Sequence, residues 1–454
     1  MFRIPKDTEM NLSLLQEFLD AHREEVNNRY QKLKDAYESD HEILHAPAKP
    51  AYKPDNRIVV NFTKYIVDTM NGFFLGNPIK TMADDNAVSD FVEYLEQYND
   101  QDDNNAELSK LCSIYGKAYE MYYTDEEAEL CITYLSPVES FMIFDESILE
   151  RPLFFVRRYT DRNNHEYGSI SDKYGVRNFA VTGGLRWLDE WQPHHFGNVP
   201  ATEYVENAEK QGLAEPILSM QNAYNKAISE KANDVDYFAD AYLKILGALV
   251  ESEDIAFIRD TRVLNLVGED AEKIVAEFMD KPSNDAAQEN LLARLERLIF
   301  NISMVANISD ENFGASSGIA LRYKLQAMSN LEKTKERKFV SGMNRRYKIL
   351  FGHPASKVPA DAWVQLSYQF TPNIPANLLE EAQIAAQMEG ITSHETQLRV
   401  LSVVDNVRDE LDKIAEENEA PKNDAIINTM FGNEPTVLEE EAEELTDDEQ
   451  RVLE

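Results

Sequence analysis

Between Gly318 and Phe351 the chain runs for some 34 residues without a proline. Leu321, Leu325, Met328, Phe339, Met343, Tyr347 and Leu350 fall along it at helical spacing. At 1.5 Å per residue such a helix reaches roughly 50 Å. That length is unusual in a compact domain and predicts an extended or ring-forming architecture. The same stretch is the one basic segment of an acidic chain. It carries Arg322, Lys324, Lys333, Lys335, Arg337, Lys338, Arg345, Arg346 and Lys348 against Glu332 and Glu336. These bases are read as partners of an acidic surface on a neighbouring domain or subunit; the functional alternative is contact with phosphates. The apolar stripe beside them is read as core or subunit interface.

The 454 residues hold 45 bases and 82 acids, a formal net charge of −37. Such acidity argues against a DNA reader with a positive footprint. With 43% hydrophobic residues the chain can bury a core, and its length suggests two to four domains. Two cysteines, Cys112 and Cys131, exclude a disulfide scaffold and a Cys-rich zinc site. The N-terminal MFRIPKDTEM has no apolar signal-like region, and no run approaches the roughly 20 apolar residues that span a bilayer. The expectation is a soluble, intracellular protein without membrane contact.

Apolar periodicity predicts helices over about 12–39, 60–75, 85–98 and 105–117. From Ala118 to Gln192 short runs rich in β-branched and aromatic residues predict an antiparallel meander, with strands near 119–123, 130–135, 153–159, 176–181 and 185–191. After Pro216 helices return. One stripe comprises Tyr224, Ile228, Val235, Phe238 and Tyr242; a second comprises Leu291, Leu295, Leu298, Ile302 and Val305. A compact mixed segment, 246–284, lies between them. Residues 354–375 are irregular, helices are expected over 377–389 and 393–417, and the acidic stretch after Leu438 reads as disordered.

Three motifs carry possible chemistry. Gly314-Ala315-Ser316-Ser317-Gly318 matches G-x-S-x-G, but a nucleophile elbow needs a buried strand before it, and here a polar loop precedes. Asp100-Gln101-Asp102-Asp103-Asn104 resembles the start of an EF-hand loop, yet the sixth and twelfth positions are Asn105 and Leu111. It reads as an acidic turn capping the next helix. His194 and His195 lack a nearby third ligand and read as a turn rather than a metal site. No P-loop is present, so no nucleotide-driven motor is supported. No cofactor is expected.

Several segments, taken in order, resemble the portal proteins of tailed phages, SPP1 type. They are Asn56 to Asp68 with Gly72 to Pro78, Ser136-Pro137 with Phe141 to Asp145, and His195 to Pro200. Asn222 to Lys226 and Asn233 to Ala241 follow. The most specific is Ile308 to Gly314 with Ser317 to Lys324, which is similar to the family's tunnel loop and the start of its long kinked helix. The resemblance covers roughly residues 50–420.

It implies an α+β, mostly helical chain assembling into a dodecameric ring at one capsid vertex. Double-stranded DNA would be packaged and ejected through its channel, and the portal itself would not hydrolyse ATP. By resemblance the wing is 1–215 with a return over 352–374. The stem is 216–245 and 285–307, the clip 246–284, the tunnel loop 308–317, the long helix 318–351 and the crown 375–420, before a tail at 421–454. Ser309, Asp310, Glu311, Asn312, Phe313, Gly314, Ser316 and Ser317 would face the DNA channel. Implied partners are further copies of the chain, viral DNA, the terminase large subunit, major capsid and scaffold proteins and a head-tail adaptor. The expected location is the virion, with assembly in the host cytoplasm. Two other readings stand beside this one: a serine hydrolase using Ser316 with His353 or His394, and an acidic scaffold or adaptor that meets no DNA.

Overall fold

The computed structural model describes residues 2–50, 53–239, 243–246, 275–278, 285–308, 318–374 and 378–401, with scattered positions up to Glu417. The chain divides between residues 373 and 374 into two compact units. It is a mixed α+β fold, and no helix among the described residues is long and apolar enough to cross a membrane.

The chain opens with strand β1 (Phe2–Ile4) and helix α1 (Leu12–Glu25), whose cap Asn11 accepts the Leu14 N–H. A π turn, Val26–Tyr30, joins α1 to α2 (Gln31–Tyr37). The helix expected over 12–39 is thus nearly continuous. The wide turn holds one more residue than an α turn, and it keeps Val26, Tyr30 and Leu33 all buried. Asn61 caps α3 (Phe62–Leu75), which leads into strand β2 (Lys80–Met82); Asp85 caps α4 (Asn86–Tyr98). Helix α5 (Gln101–Tyr115) starts four residues earlier than its apolar stripe implies, because the acidic run fills its first turn. It ends at Gly116, φ 85°, where a Cβ would lie 2.0 Å from the Lys210 carbonyl oxygen. Only glycine fits both the left-handed turn and that contact.

The expected meander splits into two sheets. Strands β3 (Lys117–Thr124) and β4 (Leu130–Leu135) pair with each other; β5 (Ser140–Asp145), β6 (Pro152–Thr160), β7 (Glu166–Ser171) and β8 (Gly175–Ala180) form the meander proper. Short β9 (Arg186–Trp187) and β10 (Gln192–Pro193) both pair with β8, and β1 adds to β5 in parallel. The break comes at a tight turn where Glu139 and Ser140 N–H groups both donate to Ser136 O. β3 instead takes β11 (Ala201–Val205) as its second neighbour. Helix α1 covers the larger sheet through Leu15, Phe18 and Leu19 against Phe141, Val156 and Phe179.

Helix α6 (Leu218–Ala239) departs from expectation. Its deepest face is polar: Gln221, Asn225, Ser229 and Asn233 are buried, while Val235 is exposed and Tyr224 and Ile228 are half-buried. Each of the four accepts a backbone N–H, three from the extended segment before α3 and one from the first turn of α3. Asn233 Oδ1 takes Asn56 N (2.6 Å), Ser229 Oγ takes Ile58 N (2.9 Å), Asn225 Oδ1 takes Val60 N (2.9 Å) and Gln221 Oε1 takes Thr63 N (2.8 Å). Over the first three rungs four helical residues advance about 6 Å and two extended residues about 6.7 Å, so the two repeats stay nearly in step; the fourth rung comes three residues on, at the start of α3. The ladder satisfies backbone groups that no strand partner meets.

Strands β12 (Leu243–Leu246) and β13 (Val275–Phe278) pair antiparallel. The strand at Leu243 ends the helical reading before residue 245. Tyr242 and the runs at 255–257 and 263–267 lie outside the described residues. Helix α7 (Asp285–Ser303) packs on α6. It buries Leu292 and Ile299 and leaves Leu291 and Ile302 exposed, so the buried face is rotated from the expected stripe. Helix α8 (Gly318–Leu350) is α-helical over 33 residues, and β14 (Ser367–Gln369) pairs with β2 while Phe370 stacks on Phe74. In the second unit, α9 (Leu378–Gln387) turns at Gly390 into the short α10 (His394–Leu398), capped by Ser393. The longer helix expected over 393–417 is interrupted after Leu398, and the described residues 407, 410–415 and 417 are helical again. Val400 and Leu401 bond three residues back rather than four, a tightened final turn.

Removing an acceptor from the ladder leaves a buried N–H unpaired, at about 1–3 kcal/mol. Asn225→Leu should therefore lower stability in urea by that amount and speed hydrogen exchange at Val60 above all. His22 gives a pH prediction. It is buried between the sheet and α1, donates from Nε2 to Pro137 O at 2.8 Å, and burial lowers its pKa to about 4. The unfolded chain binds that proton near pH 6.5 and the folded chain only near 4, so stability is full above 6.5 and falls as pH drops toward 4. The loss attributable to His22 is about 3 kcal/mol at most, and His22→Gln should flatten the stability profile in that window.

Candidate functional site at the long helix

The tunnel-loop positions Ser309, Asp310, Glu311, Asn312, Phe313, Gly314, Ser316 and Ser317 lie outside the described residues. The chain approaches them at Ile308, whose N–H donates to Tyr65 Oη at 2.9 Å. The α8 backbone then begins at Gly318. The Arg322 side chain is outside the description. Lys324 is exposed on the rim of a recess lined by Phe300, Met304 and Val305. Lys333 pairs with Glu336 at 2.7 Å and Glu332 at 3.3 Å; Arg337 is exposed and Lys338 half-buried.

Two bases of the same run point inward and are not open to an outside partner. Lys335 is 2% exposed; its Nζ donates to Glu206 Oε2 (2.7 Å), Ser113 Oγ (2.5 Å) and Ser109 O (3.2 Å). Arg346 is fully buried. It grips Glu120 side-on, Nε to Oε2 at 2.9 Å and Nη2 to Oε1 at 2.7 Å, and Nη2 also donates to Asn105 Oδ1 at 2.6 Å. Tyr122 and Tyr204 hydroxyls complete the Glu120 shell at 2.8 and 3.1 Å. A planar fork matched to a carboxylate is geometry that lysine cannot supply. The acidic partners expected for these bases are therefore, at Lys335 and Arg346, the chain's own Glu206, just after β11, and Glu120 on β3, with neutral acceptors from α5.

The helix comes this close because of Gly342. A Cβ there would stand 2.3 Å from the Tyr204 ring. Glu120 and Glu206 were not singled out as site residues from sequence, yet Glu120 carries a signal. Ala118, Glu120 and Tyr122 share one face of β3, and an acid between buried apolar neighbours demands a buried partner.

The other motifs resolve as structure. Asp102 and Asp103 sit in the first turn of α5, behind left-handed Asp100. His194 Nε2 donates to Asp172 O at 2.9 Å and its Nδ1 accepts the Phe196 N–H, while burial lowers its pKa. Among the described residues no cluster of three or more His, Cys, Asp or Glu could hold a metal ion. His353 is buried with its ring 4.5 Å from that of Phe196, and its Nδ1 accepts the Ala355 N–H. It is thus packed and engaged rather than poised as a base. His394 opens α10 in the second unit.

Residues 16–424 match the family model described as phage portal protein, SPP1 Gp6-like. The chain belongs to that family. The match begins well before residue 50, where the sequence resemblance starts, so the α1 region is included. The chain is also similar to the portal protein of Clostridium phage phiCD119, with 24% identity over 396 residues, covering 79% of this chain and 84% of that one. Portal proteins are structural components of the bacteriophage capsid that oligomerise, and DNA packaging is the expected role. No enzymatic family is found for the chain.

Losing one partner of a buried ion pair typically costs about 3–5 kcal/mol, because the other charge stays buried. Arg346→Met should lower the unfolding free energy by that much, and adding Glu120→Gln should recover more than half; equilibrium urea unfolding of the three variants measures both. Gly342→Ala tests the close approach. Helix propensity alone favours alanine by about 0.5–1 kcal/mol, whereas the Tyr204 clash should cost about 1–3 kcal/mol. A lowered unfolding midpoint is expected, relieved by Tyr204→Ala in the double variant.

Proposed function

We propose that twelve copies of this chain form a ring at one vertex of the capsid, and that double-stranded DNA passes through its channel on packaging and ejection. The observation that carries this reading is the family match, which runs over nearly the whole chain. The ring also docks the terminase large subunit and a head-tail adaptor and contacts the major capsid and scaffold proteins. Residues 1–215 with 352–374 serve as the wing, 285–307 with the helix from 216 as the stem, 318–351 as the long kinked helix and 375–420 as the crown. The β2–β14 pair supports grouping 352–374 with the wing. Strand β12 favours a stem–clip boundary nearer 240 than 245.

The charge of −37 suits a conduit. A wall that neutralised many phosphates would release counterions and hold the duplex tightly. An acidic or weakly polar wall lets it slide. Asp310 and Glu311 in the tunnel loop face the lumen in this reading, and the bases of α8 that remain exposed serve subunit contacts or the DNA.

The decisive experiment is negative-stain imaging of the purified protein beside its mass in solution. Rings of about a dozen subunits with a central hole are expected, by the symmetry of closed heterologous assemblies. A stable dimer with esterase activity would overturn the reading in favour of a hydrolase. In particles, Asp310→Lys with Glu311→Lys should slow or arrest packaging, read as reduced DNA per particle; normal DNA content would remove these two residues from the channel wall.

A further inference from the structure

At the junction of α4 and α5 a cavity of about 570 Å³ opens to solvent. Glu93, Glu96, Asp100, Asp102 and Asp103 line it, and no lysine, arginine or histidine does. Acidity alone would mark only a solvated surface. Two polar atoms argue for more. Gln101 lines the cavity and is 1% exposed. Its Nε2 donates inward to Asn105 Oδ1 (3.0 Å) and Glu120 Oε1 (3.3 Å), and Oε1 is buried without a partner. The amide cannot be turned round to mend this, since Glu120 offers only acceptors. The second atom is Glu96 Oε2. Glu96 Oε1 already accepts two hydroxyls, Thr81 at 2.7 Å and Tyr347 at 2.6 Å, while Oε2 makes no hydrogen bond among the described residues. Burial raises the pKa of Glu96 even though the hydroxyls of Tyr347 and Thr81 and the charge of Arg346 oppose it.

The missing group must bring several N–H donors and positive charge. A bare metal ion does not fit, because no set of three acidic or imidazole ligands converges among the described residues. We propose that this cavity binds an organic cation, an ammonium or guanidinium group that donates to Gln101 Oε1 and Glu96 Oε2 while Asp102 and Asp103 hold its charge at the mouth. The group comes either from a free polyamine or from a basic side chain of a second copy of this chain. The site adjoins the Arg346–Glu120 pair, whose partners Gln101 and Asn105 line it, and the free-polyamine source does not depend on ring formation.

Calorimetric titration of the full-length protein with spermidine, at about 0.15 M salt to suppress diffuse attraction, separates the sources. Three proteins are compared: the wild type, Asp102→Asn with Asp103→Asn, and a control, Glu126→Gln with Glu127→Gln, which removes equal charge from the exposed β3–β4 turn. Asp102 and Asp103 are exposed, so the first variant should keep its fold, and circular dichroism checks that. For a free polyamine, saturable binding near one per chain is expected, weakened about tenfold or more in the cavity variant and unchanged in the control. For a side chain of a second copy, spermidine does not bind saturably, but the cavity variant shows reduced oligomer mass relative to the control. Equal spermidine binding by all three proteins, or no binding together with unchanged mass, overturns the proposal.

Discussion

The side-on grip of Arg346 on Glu120 fixes where the long helix sits. Both charges are removed from water, which is costly, and the cost is offset only when the geometry is good and the remaining lone pairs are satisfied. Here Tyr122, Tyr204, Gln101 and Asn105 supply partners to both groups, and of the guanidinium only Nη1 is left without one among the described residues. A one-residue slip of α8 would carry the guanidinium about 100° around the helix and strand both charges. Lys335, eleven residues earlier on nearly the same face, repeats the arrangement with Glu206. Two such points, separated by about 16 Å along the axis, hold the helix in both register and rotation. Gly342 lies between them and permits the contact with Tyr204.

That anchoring divides the helix. Its C-terminal half is locked into the sheet β11-β3-β4, with Phe339, Met343 and Tyr347 buried in the core. Toward the N-terminus Tyr323 and Lys324 are exposed, while Leu325 and Met328 are buried.

Much of this was legible in sequence. The helices at 62–75 and 86–98 were signalled by apolar spacing, and the structure adds Asn61 and Asp85 as their caps. The long helix was read within a residue of its observed end. What failed was the assumption that apolar stripes face inward. On α6 the inward face is Gln221, Asn225, Ser229 and Asn233, because a neighbouring backbone needed acceptors, and periodicity of hydrophobicity cannot register a polar ladder. The basic run of α8 misled similarly, since charge counting along a sequence does not say that Lys335 and Arg346 turn inward. The split of the strands into two sheets turned on hydrogen bonds at Ser136, a local event with no hydrophobic signature.

The ladder between α6 and residues 56–63 also distributes mutational freedom unevenly. On one side it uses particular side chains, each of a length and polarity that reaches a buried N–H. On the other it uses main chain, which every residue except proline offers equally, joined only at Thr63 by a hydroxyl that also donates to Gln221. Ile58 and Val60 could therefore drift among side chains of similar bulk without disturbing the ladder, whereas its α6 rungs could not. Two segments in permanent contact would thus diverge at different rates, and the faster one would carry no sign, in its own letters, of how firmly it is held.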